Sequence, residues 1–454
     1  MAASRPNVLL VIADDHRADA LGALGHPVVR TPVLDELVRG GTAFTQMGIT
    51  GGLMAAVCAP SRASLFTGRS AFHADASPQL EYGPHFEVRL PANARTLPQV
   101  FRDAGYETFF TGKWHNDGPA LLRSFESGRN IFHGGMCDHA AVPVRDLADF
   151  PTGRPPHHAA GFSTELFCRT VADFLRARGS PRPFFACLAL TSPHDPRTPP
   201  AEFRALYDPA AIPLPANFLP EHPFDNGELA VRDEQLAAKP LDPGGLREQL
   251  ADYYGMISHH DAWLGRVLGA LRETGAADQT LVVYVSDHGL ALGSHGLLGK
   301  QNLYEHSVRV PCVLHGPGIP RGVRHETLAY SFDLYATLCA LAGIQPPAGL
   351  ESRSLVPAFA DAAHRVRPAL GAAYMDRQRS ITDGRWKLIV YHVDRSERVQ
   401  LFDLTADPHE LKNLASAAPA AGTVARLRAQ LASWQAENGD RWWPAPTAPG
   451  AVSR

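Results

Sequence analysis

Three aspartates and one histidine in this chain have the chemistry of a metal-binding site. Asp14 and Asp15 directly follow an apolar run that is typical of a buried strand. Asp287 and His288 follow a second such run. Ligands of open α/β sheets bind outside the carboxyl ends of strands, and oxygen-rich ligation suits a hard cation, Ca²⁺ or Mg²⁺. The single nitrogen donor leaves Mn²⁺ open. Taken alone, the two adjacent aspartates would also fit a turn with a helix-capping carboxylate.

Four further side chains could supply positive charge or protons close to that site. Lys113 and His115 lie in Thr-Gly-Lys-Trp-His, His194 in Thr-Ser-Pro-His, and Lys300 in Gly-Lys. Singly, each is typical of a surface lysine or of a hydrogen-bonded histidine. Because they come from separate segments that mostly follow predicted strands, together they predict a positively charged site for a tetrahedral oxyanion.

The segment Cys58–Gly68 reads Cys-Ala-Pro-Ser-Arg-Ala-Ser-Leu-Phe-Thr-Gly. It resembles the motif C-x-P-S-R-x-x-x-[LF]-T-G of type I sulfatases, in which the cysteine is converted to formylglycine. Outside such a motif, a lone cysteine after an apolar stretch is typical of a small buried hydrophobic residue. A hydrated formylglycine carries two hydroxyls on one carbon. One can attack sulfur and the other can later release the covalent intermediate, which splits one difficult displacement into two easier ones.

The resemblance extends from Pro6 to about Leu414. Further segments match type I sulfatases in the same order: Pro6–Asp15, Gly112–His115, Ser192–His194, Asp287–Gly289, Gly299-Lys300, Tyr304-Glu305, Arg309–Pro311, Leu401–Leu404, Asp407-Pro408 and Asn413-Leu414. That family belongs to the alkaline phosphatase superfamily. The resemblance therefore implies a large sheet with the site at its carboxyl edge.

The metal ligands that the resemblance implies are Asp14, Asp15, Asp287 and His288, with the modified Cys58 completing the shell. The ion is usually Ca²⁺ in this family. Many arylsulfatase-like members have asparagine where this chain has His288. The Asp-His form also occurs in iduronate-sulfatase-like, choline-sulfatase-like and phosphonate-monoester-hydrolase-like branches.

The resemblance also implies catalytic roles for the cationic residues. Arg62 and Lys113 would hold the formylglycine hydrate, and Lys113, His194 and Lys300 would bind the sulfate oxygens. His194, with Lys300, would protonate the leaving alcohol, and His115 would take the proton from the second hydroxyl. The phosphonate hydrolase branch generally lacks the lysine–histidine pair, so the presence of Lys113 and His115 favours sulfate over phosphonate.

An α/β fold is needed to position these residues, with a large, mostly parallel central sheet flanked by helices. The predicted strands are apolar throughout, as expected when helices cover both faces: Val8–Ala13, Thr108–Thr111, Phe184–Leu190, Leu281–Val285 and Pro311–Leu314. Helices are predicted to begin at Thr31-Pro32 and at Thr96, to span roughly Leu246 to Glu273, and to follow Asp333.

Two domains are predicted, because the predicted strands become weaker after about Pro346. Residues 1–345 would form the catalytic domain. Residues 346–454 would form a smaller α+β subdomain with a small antiparallel sheet (Trp386–Tyr391, Val399–Phe402) and a terminal helix near Thr423–Gln435. The proline-rich segment from Pro196 to about Pro243 is too long for a simple connector, and loops of that length are often functional.

Candidate substrate-binding residues lie outside the shared motifs. They are Asp138 and His139 in the segment 134–139, His222 in the segment 221–223, and Arg377 in the segment 375–379. These segments are rich in Asp, His and Arg, which favours a hydroxylated, anionic carbohydrate over a small aryl group. The alternative is that they form salt bridges within loops.

Composition restricts the partners of this 454-residue chain, because its net charge of −3 does not indicate a nucleic-acid binder. No run reaches the roughly 18 apolar residues of a membrane span, and residues 1–13 lack a signal-peptide cleavage pattern. The six cysteines are scattered and predict neither a disulfide framework nor a zinc site. A cytoplasmic protein without a membrane partner is therefore predicted, its oligomeric state open.

Hydrolysis of a sulfate ester, preferably of a carbohydrate, is the predicted function, and it would require a formylglycine-generating maturation enzyme as a partner. The alternative on the same fold is a hydrolase of phosphate or phosphonate monoesters or diesters. A binding protein with a vestigial site would show loss of a metal ligand or a catalytic lysine, and this sequence retains all of them.

Overall fold

The structure, a computed structural model, describes residues 5–77 and 88–440. The strands of these ranges are β1 Asn7–Ala13, β2 Thr42–Phe44, β3 Met47–Gly48, β4 Gly51–Gly52, β5 Glu107–Lys113, β6 Ser127–Phe132, β7 Pro143–Val144, β8 His157–His158, β9 Phe184–Ala189, β10 Thr280–Ser286, β11 Arg309–Val310, β12 Cys312–His315, β13 Val323–His325, β14 Ala329–Tyr330, β15 Leu370–Tyr374, β16 Gln378–Thr382, β17 Trp386–Val393 and β18 Ser396–Asp403. The helices are α1 Pro32–Gly40, α2 Cys58–Thr67, α3 Ala71–Ala74, α4 Leu97–Asp103, α5 Gly118–Ser124, α6 Ser163–Ala177, α7 Ala201–Arg204, α8 Pro243–Glu273, α9 Glu305–Val308, α10 Leu334–Leu341, α11 Val356–Ala360 and α12 Ala421–Glu437.

An eight-stranded sheet in the order β13-β2-β12-β10-β1-β9-β5-β6 carries the main core. Neighbouring strands are parallel except where β12 pairs with β10 and β2. The α/β fold with a mostly parallel sheet is therefore confirmed. The predicted run Pro311–Leu314 corresponds to the antiparallel β12, and its apolar composition did not reveal its direction.

Alternate residues of β1 pack against different layers of helices. Leu10 and Ile12 belong to one apolar cluster with residues of α2, α4 and α10, whereas Leu9 and Val11 belong to another with residues of α1, α6 and α8. Because successive strand side chains point to opposite faces, a strand covered on both faces is apolar throughout. This explains the continuous hydrophobic runs of the sequence.

The predicted helices are present, with one difference in capping. Thr96 caps α4 and forms a capping box with Gln99, but the Thr31 side chain does not cap α1. Instead, the carboxylate of Asp261 in α8 accepts hydrogen bonds from the Val33 and Leu34 amides at 3.0 and 2.7 Å. No described helix has both the length and the apolar character needed to cross a membrane.

A second sheet, in the order β18-β17-β16-β15-β4, contains the C-terminal strands and packs against α12. Its antiparallel hairpins and the terminal helix agree with the predicted C-terminal elements. Its edge strand β4 comes from the N-terminal part of the chain and pairs with β15. A strand located shortly before Cys58 is thus hydrogen-bonded to the C-terminal sheet. The division of the chain at residues 345 and 346 stays a prediction.

Candidate active site

The four predicted metal ligands meet at the carboxyl edge of the central sheet. β1 and β10 pair in register, with Ala13 opposite Ser286, so the residues that follow the two strands are neighbours. The Asp287 amide donates to the Ala13 carbonyl at 3.1 Å. Asp14, Asp15, Asp287 and His288 are all buried, with exposed fractions of 0 to 2%.

Several polar atoms of this cluster have no hydrogen-bond partner among residues 5–77 and 88–440: Asp14 Oδ1, Asp15 Oδ2 and His288 Nε2. Ligand atoms of Asp14, Cys58 and His288 lie within 4.8 Å of one another, as do those of Asp14, Asp15 and His194. Burial and the negative charge of Asp14 raise the pKa of Asp287 to about 7. Because a cation would satisfy the orphaned atoms and the clustered negative charge, this donor set fits a divalent metal.

Cys58 is the first residue of α2, a helix whose residues are all buried. Its Sγ lies 3.2 Å from Nδ1 of His115. Burial by itself raises the pKa of the thiol, but the charge of Lys113 and the nearby ring of His288 outweigh burial and lower the pKa to about 7. The position resembles that of a reactive side chain more than that of an inert core cysteine.

Arg62 connects the cysteine helix to the ends of two strands. Its guanidinium is fully buried and donates to Asp287 Oδ2 at 2.9 Å and to the Lys113 carbonyl at 2.7 Å. A buried charge is tolerated only when it is paired and hydrogen-bonded. Arg62 therefore fixes the start of α2 against the metal-site loops.

The two lysines of the site are paired with its aspartates. Lys113 Nζ donates to Asp14 Oδ2 at 2.5 Å and to the Gly135 carbonyl at 2.6 Å. Lys300 Nζ donates to Asp15 Oδ1 at 2.9 Å. Burial acts to lower the pKa of each ammonium, but the neighbouring carboxylates outweigh it and raise both pKa values. Both lysines are therefore cationic at neutral pH.

The two histidines have different environments. His115, with a left-handed backbone (φ 56°), has a pKa lowered well below its ordinary value by burial and by the charges of Lys113 and Arg62, so it is neutral. His194 donates from Nδ1 to the Asp195 carbonyl at 2.7 Å, and its Nδ1 lies 3.4 Å from Asp195 Oδ1. These contacts fix the orientation of the His194 ring.

The proline-rich segment, residues 196–243, contacts the loops that carry two catalytic candidates. Arg232 pairs with Asp195, the neighbour of His194. Glu234 accepts hydrogen bonds from the Leu298 and Gly299 amides, each at 2.8 Å, just before Lys300. Sequence reasoning missed these residues because the segment has little periodicity. Asp195 could have been found, since it directly follows the Ser-Pro-His motif.

A cavity of about 820 Å³ opens beside the candidate catalytic residues. Its volume lies in the range of small-molecule sites. The lining residues are Ala55, Ala56, Cys58, His115, Phe132, His133, Gly134, Gly135, Met136, Pro143, Arg145, Pro156, His194, Val231, Arg232, Asp233, Lys300 and Gln301. Arg145 and Arg232 were not predicted from the sequence, and Arg145 has no motif that could have revealed it.

The four predicted substrate-binding residues do not line this cavity. Asp138 is exposed and accepts from the Ala140 amide at 2.8 Å. His139 is buried behind His194 and donates to its carbonyl at 2.9 Å. His222 donates to the His295 carbonyl at 2.8 Å, and Arg377 pairs with Glu228. Of the four, Arg377 forms the salt bridge that was the alternative, whereas the other three form hydrogen bonds. The role of all four in substrate binding stays a prediction. Of the segments predicted to bind substrate, 134–139 contributes Gly134, Gly135 and Met136 to the cavity lining.

Comparison with known proteins shows the family. Residues 6–344 match the family model described as Sulfatase, and residues 293–437 match the one described as N-sulphoglucosamine sulphohydrolase, C-terminal. The chain therefore belongs to the sulfatase family, within the alkaline phosphatase superfamily, and is a sulfuric ester hydrolase.

Individual relatives match over most of their length. The chain is 28% identical to the multifunctional alkaline phosphatase superfamily protein PehA of Trinickia caryophylli, covering 96% of each chain. It is 24% identical to N-acetylglucosamine-6-O-sulfatase of Bacteroides thetaiotaomicron, over 90% of this chain and 82% of the relative. A solved structure in complex with its substrate D-glucosamine-2-N,6-O-disulfate superposes with a TM-score of 0.81 at 22% identity, covering 96% of this chain and 99% of that one. This structural likeness shows the fold.

Proposed function

We propose that the chain hydrolyses a sulfate ester of a carbohydrate, using a formylglycine made from Cys58 as the nucleophile. The observation that carries the proposal is that Cys58, His115, His194 and Lys300, from four separate segments, line one cavity. That cavity adjoins the buried aspartate cluster of the metal site.

The proposed metal ligands are Asp14, Asp15, Asp287 and His288, together with the side chain at position 58. Ca²⁺ is the proposed ion, with Mg²⁺ and Mn²⁺ as alternatives. When bound, the cation supplies positive charge that favours the ionised form of a hydroxyl at residue 58. Arg62 and Lys113, which pair with Asp287 and Asp14, are the residues proposed to hold the hydrate.

The proposed proton transfers belong to the two histidines. In the unmodified chain the Sγ of Cys58 stands in for an oxygen of the aldehyde hydrate, and His115 lies 3.2 Å from it. A neutral His115 can accept the proton of the second hydroxyl, which releases sulfate and restores the aldehyde. His194, oriented by its bond to Asp195, gives a proton to the leaving alcohol, with Lys300 beside the sulfate oxygens.

A carbohydrate leaving group is supported by the size of the cavity and by the relatives. About 820 Å³ exceeds what a sulfate group alone needs and leaves room for a sugar. The C-terminal family model is described by the name of a sulphoglucosamine hydrolase, and one relative is an N-acetylglucosamine-6-O-sulfatase. A formylglycine-generating maturation enzyme is the partner that this mechanism requires.

A second candidate function is hydrolysis of phosphate or phosphonate esters. The relative PehA is described as a multifunctional member of the alkaline phosphatase superfamily, and a cationic site for a tetrahedral oxyanion suits phosphorus as well as sulfur. The resemblance of motifs implies that the pair Lys113 and His115, both present here, favours sulfate. The ratio of kcat/KM for 4-nitrophenyl sulfate to that for 4-nitrophenyl phosphate decides between them.

The test of the proposed nucleophile is mass spectrometry of the peptide that contains Cys58, combined with a substitution. Formylglycine at this position and loss of nearly all sulfatase turnover in Cys58→Ala are expected. Cys168→Ala is the matched control, because that cysteine is also buried but lies in α6, outside the cavity. An unmodified thiol in active protein, or turnover retained by Cys58→Ala, would refute the covalent mechanism.

A further inference from the structure

Arg145 is a cation in the cavity wall that the catalytic roles above do not use. It follows β7, and its backbone pairs with Ile131 of β6 through hydrogen bonds of 2.7 and 3.1 Å. Its guanidinium lies over the ring of Phe150, 5.2 Å from the centroid. The side chain is therefore held by the wall rather than left in bulk solvent.

No carboxylate pairs with Arg145 within the described ranges 5–77 and 88–440, and its guanidinium donates no hydrogen bond there. The nearest acidic residues along the chain have other partners. Asp146 accepts from the Asn130 amide at 3.0 Å and lies 4.0 Å from Arg129, and Asp149 pairs with Arg154. The guanidinium donors of Arg145 thus remain available to a ligand in the cavity.

Arg232, the other arginine of the cavity wall, provides a contrast. It is paired with both Asp195 and Asp233. Its charge is therefore neutralised by the protein, and its donors are engaged in holding the loop of His194. Of these two arginines, Arg145 is the one whose charge and N–H donors are not engaged by a carboxylate of the described residues.

The wall that carries Arg145 is attached directly to the catalytic residues. Gly135, shortly after β6, accepts a hydrogen bond from Lys113 through its carbonyl. It also approaches His115 so closely that an added Cβ would lie 2.8 Å from His115 Nε2. Because Arg145 is paired with β6, its position relative to Lys113 and His115 is fixed by the backbone.

We propose that Arg145 forms a subsite for a second anionic group, a sulfate or a carboxylate, on the part of the substrate that leaves as an alcohol. A guanidinium presents parallel N–H donors that match both kinds of oxyanion. The inference rests on the proposed function, since it places the scissile sulfate at Cys58. It adds that the preferred substrate carries two negative charges.

Binding to the Cys58→Ala variant tests the subsite without requiring turnover. Dissociation constants are measured by calorimetry for pairs of sugars that differ by one anionic group: glucose 6-sulfate with glucose 2,6-disulfate, N-acetylglucosamine 6-sulfate with N-sulfoglucosamine 6-sulfate, and glucose 2-sulfate with glucuronic acid 2-sulfate. The first two pairs add a sulfate and the third adds a carboxylate, so the pairs distinguish the two groups.

In at least one pair the more anionic sugar is expected to bind about 10- to 100-fold more tightly, the range for a charge-assisted contact. Adding Arg145→Gln removes that preference without weakening the singly charged sugar, and Arg145→Lys restores part of it. Arg129→Gln is the matched control, because Arg129 lies on β6 but outside the cavity, and it leaves the preference unchanged.

The subsite is refuted if no pair shows a preference, or if the preference persists in Arg145→Gln. Equal weakening of both sugars of a pair by Arg145→Gln also refutes it, since that result reports general damage to the cavity. Failure of the proposed function has a separate signature, namely absence of formylglycine and of 4-nitrophenyl sulfate turnover in the protein with an intact Cys58.

Discussion

At the scale of single residues, the surroundings of His115 predict how the rate of hydrolysis depends on pH. Burial and two neighbouring cations lower its pKa well below the ordinary value of 6.5. A general base acts in its neutral form, so His115 stays competent as the pH falls to 6.5 and below. It becomes protonated, and can no longer act as a base, only when the pH falls below its lowered pKa.

We therefore expect kcat/KM for 4-nitrophenyl sulfate to keep its value down to below pH 6.5, with the acid limb at lower pH. Rates measured between pH 4 and 9 check this, and His115→Gln should remove most of the turnover. Substitution of the exposed His158 by alanine serves as the control and leaves the profile unchanged. An acid limb centred at 7 or higher would contradict the proposed role of His115.

The clustered buried carboxylates predict that a bound cation stabilises the folded state. A ligand that binds only the folded protein stabilises it by about 2.7 kcal/mol at a concentration of 100 times Kd. We expect a chelator to lower the melting temperature and added Ca²⁺ to restore it. Differential scanning calorimetry measures the shift independently of activity.

Asp15→Asn should remove most of this calcium-dependent shift, because it removes one carboxylate of the site. Asp261→Asn, which alters a buried carboxylate outside the cluster, should keep the shift even if it lowers the melting temperature. The same melting temperature for the wild type with chelator and with Ca²⁺ would argue against the metal site.

At the scale of elements, the segment 196–243 contacts the loops that carry His194 and Lys300, two of the proposed catalytic residues. Glu234 lies in a short 3₁₀ helix, Arg232–Leu236, and is 4% exposed. Its carboxylate accepts two amides directly before Lys300, and hydrogen bonds to a charged acceptor contribute about 1.5–3 kcal/mol. The segment thereby sets where Lys300 lies relative to Asp15.

Glu234→Gln is expected to lower kcat about 10- to 100-fold while changing KM by less than about threefold, because it would misplace Lys300, the cation proposed to act in the transition state. Steady-state kinetics on a sulfate ester measure the two parameters. Glu228→Gln alters another buried acid of the same segment, one that pairs with Arg377 away from the cavity, and should leave kcat unchanged. A fall in the melting temperature with unaltered kcat would show that Glu234 is only structural.

At the scale of the whole molecule, the C-terminal sheet and the N-terminal part share contacts. β4 pairs with β15, and the ring of Trp434 in α12 meets that of Phe72 in α3 at a centroid distance of 5.5 Å. Both α3 and β4 lie close in sequence to the cysteine helix α2. Stability of the C-terminal sheet is therefore coupled to the surroundings of the active site.

We expect Trp434→Ala to lower the free energy of unfolding by about 3–5 kcal/mol, the usual consequence of removing a buried aromatic ring. Calorimetry should show one shifted transition rather than two. Trp263→Ala, which removes a partly exposed indole on α8, should have a smaller effect. Separate melting of a C-terminal unit in the variant would instead support two independent domains.

The central architecture could be predicted from the sequence because its signals are local. Strands β1, β9 and β10 are short runs of apolar residues, and helices such as α4 begin with a capping residue and end near glycine. Asp14, His194 and Asp287 follow these strands and Cys58 begins α2, so order along the chain predicted that these four residues lie close together. Lys300 lies in a loop beyond the end of β10, and its position depended on the tertiary structure. Formylglycine, the metal and the sulfate chemistry came from the resemblance of motifs.

Tertiary structure alone decided which side chains outside the shared motifs line the cavity. Arg145 and Arg232 have no motif, and both line the cavity. Arg145 does so because the segment after β7 pairs with β6. Glu234, which also has no motif, lies outside the lining and accepts hydrogen bonds from the loop before Lys300. Conversely, His139 and His222 are of a residue type that often binds ligands, yet each donates to a backbone carbonyl instead. His139 donates to the carbonyl of His194, and His222 donates to that of His295. Residue type determines what a side chain can do, whereas the packing of distant segments determines what it faces.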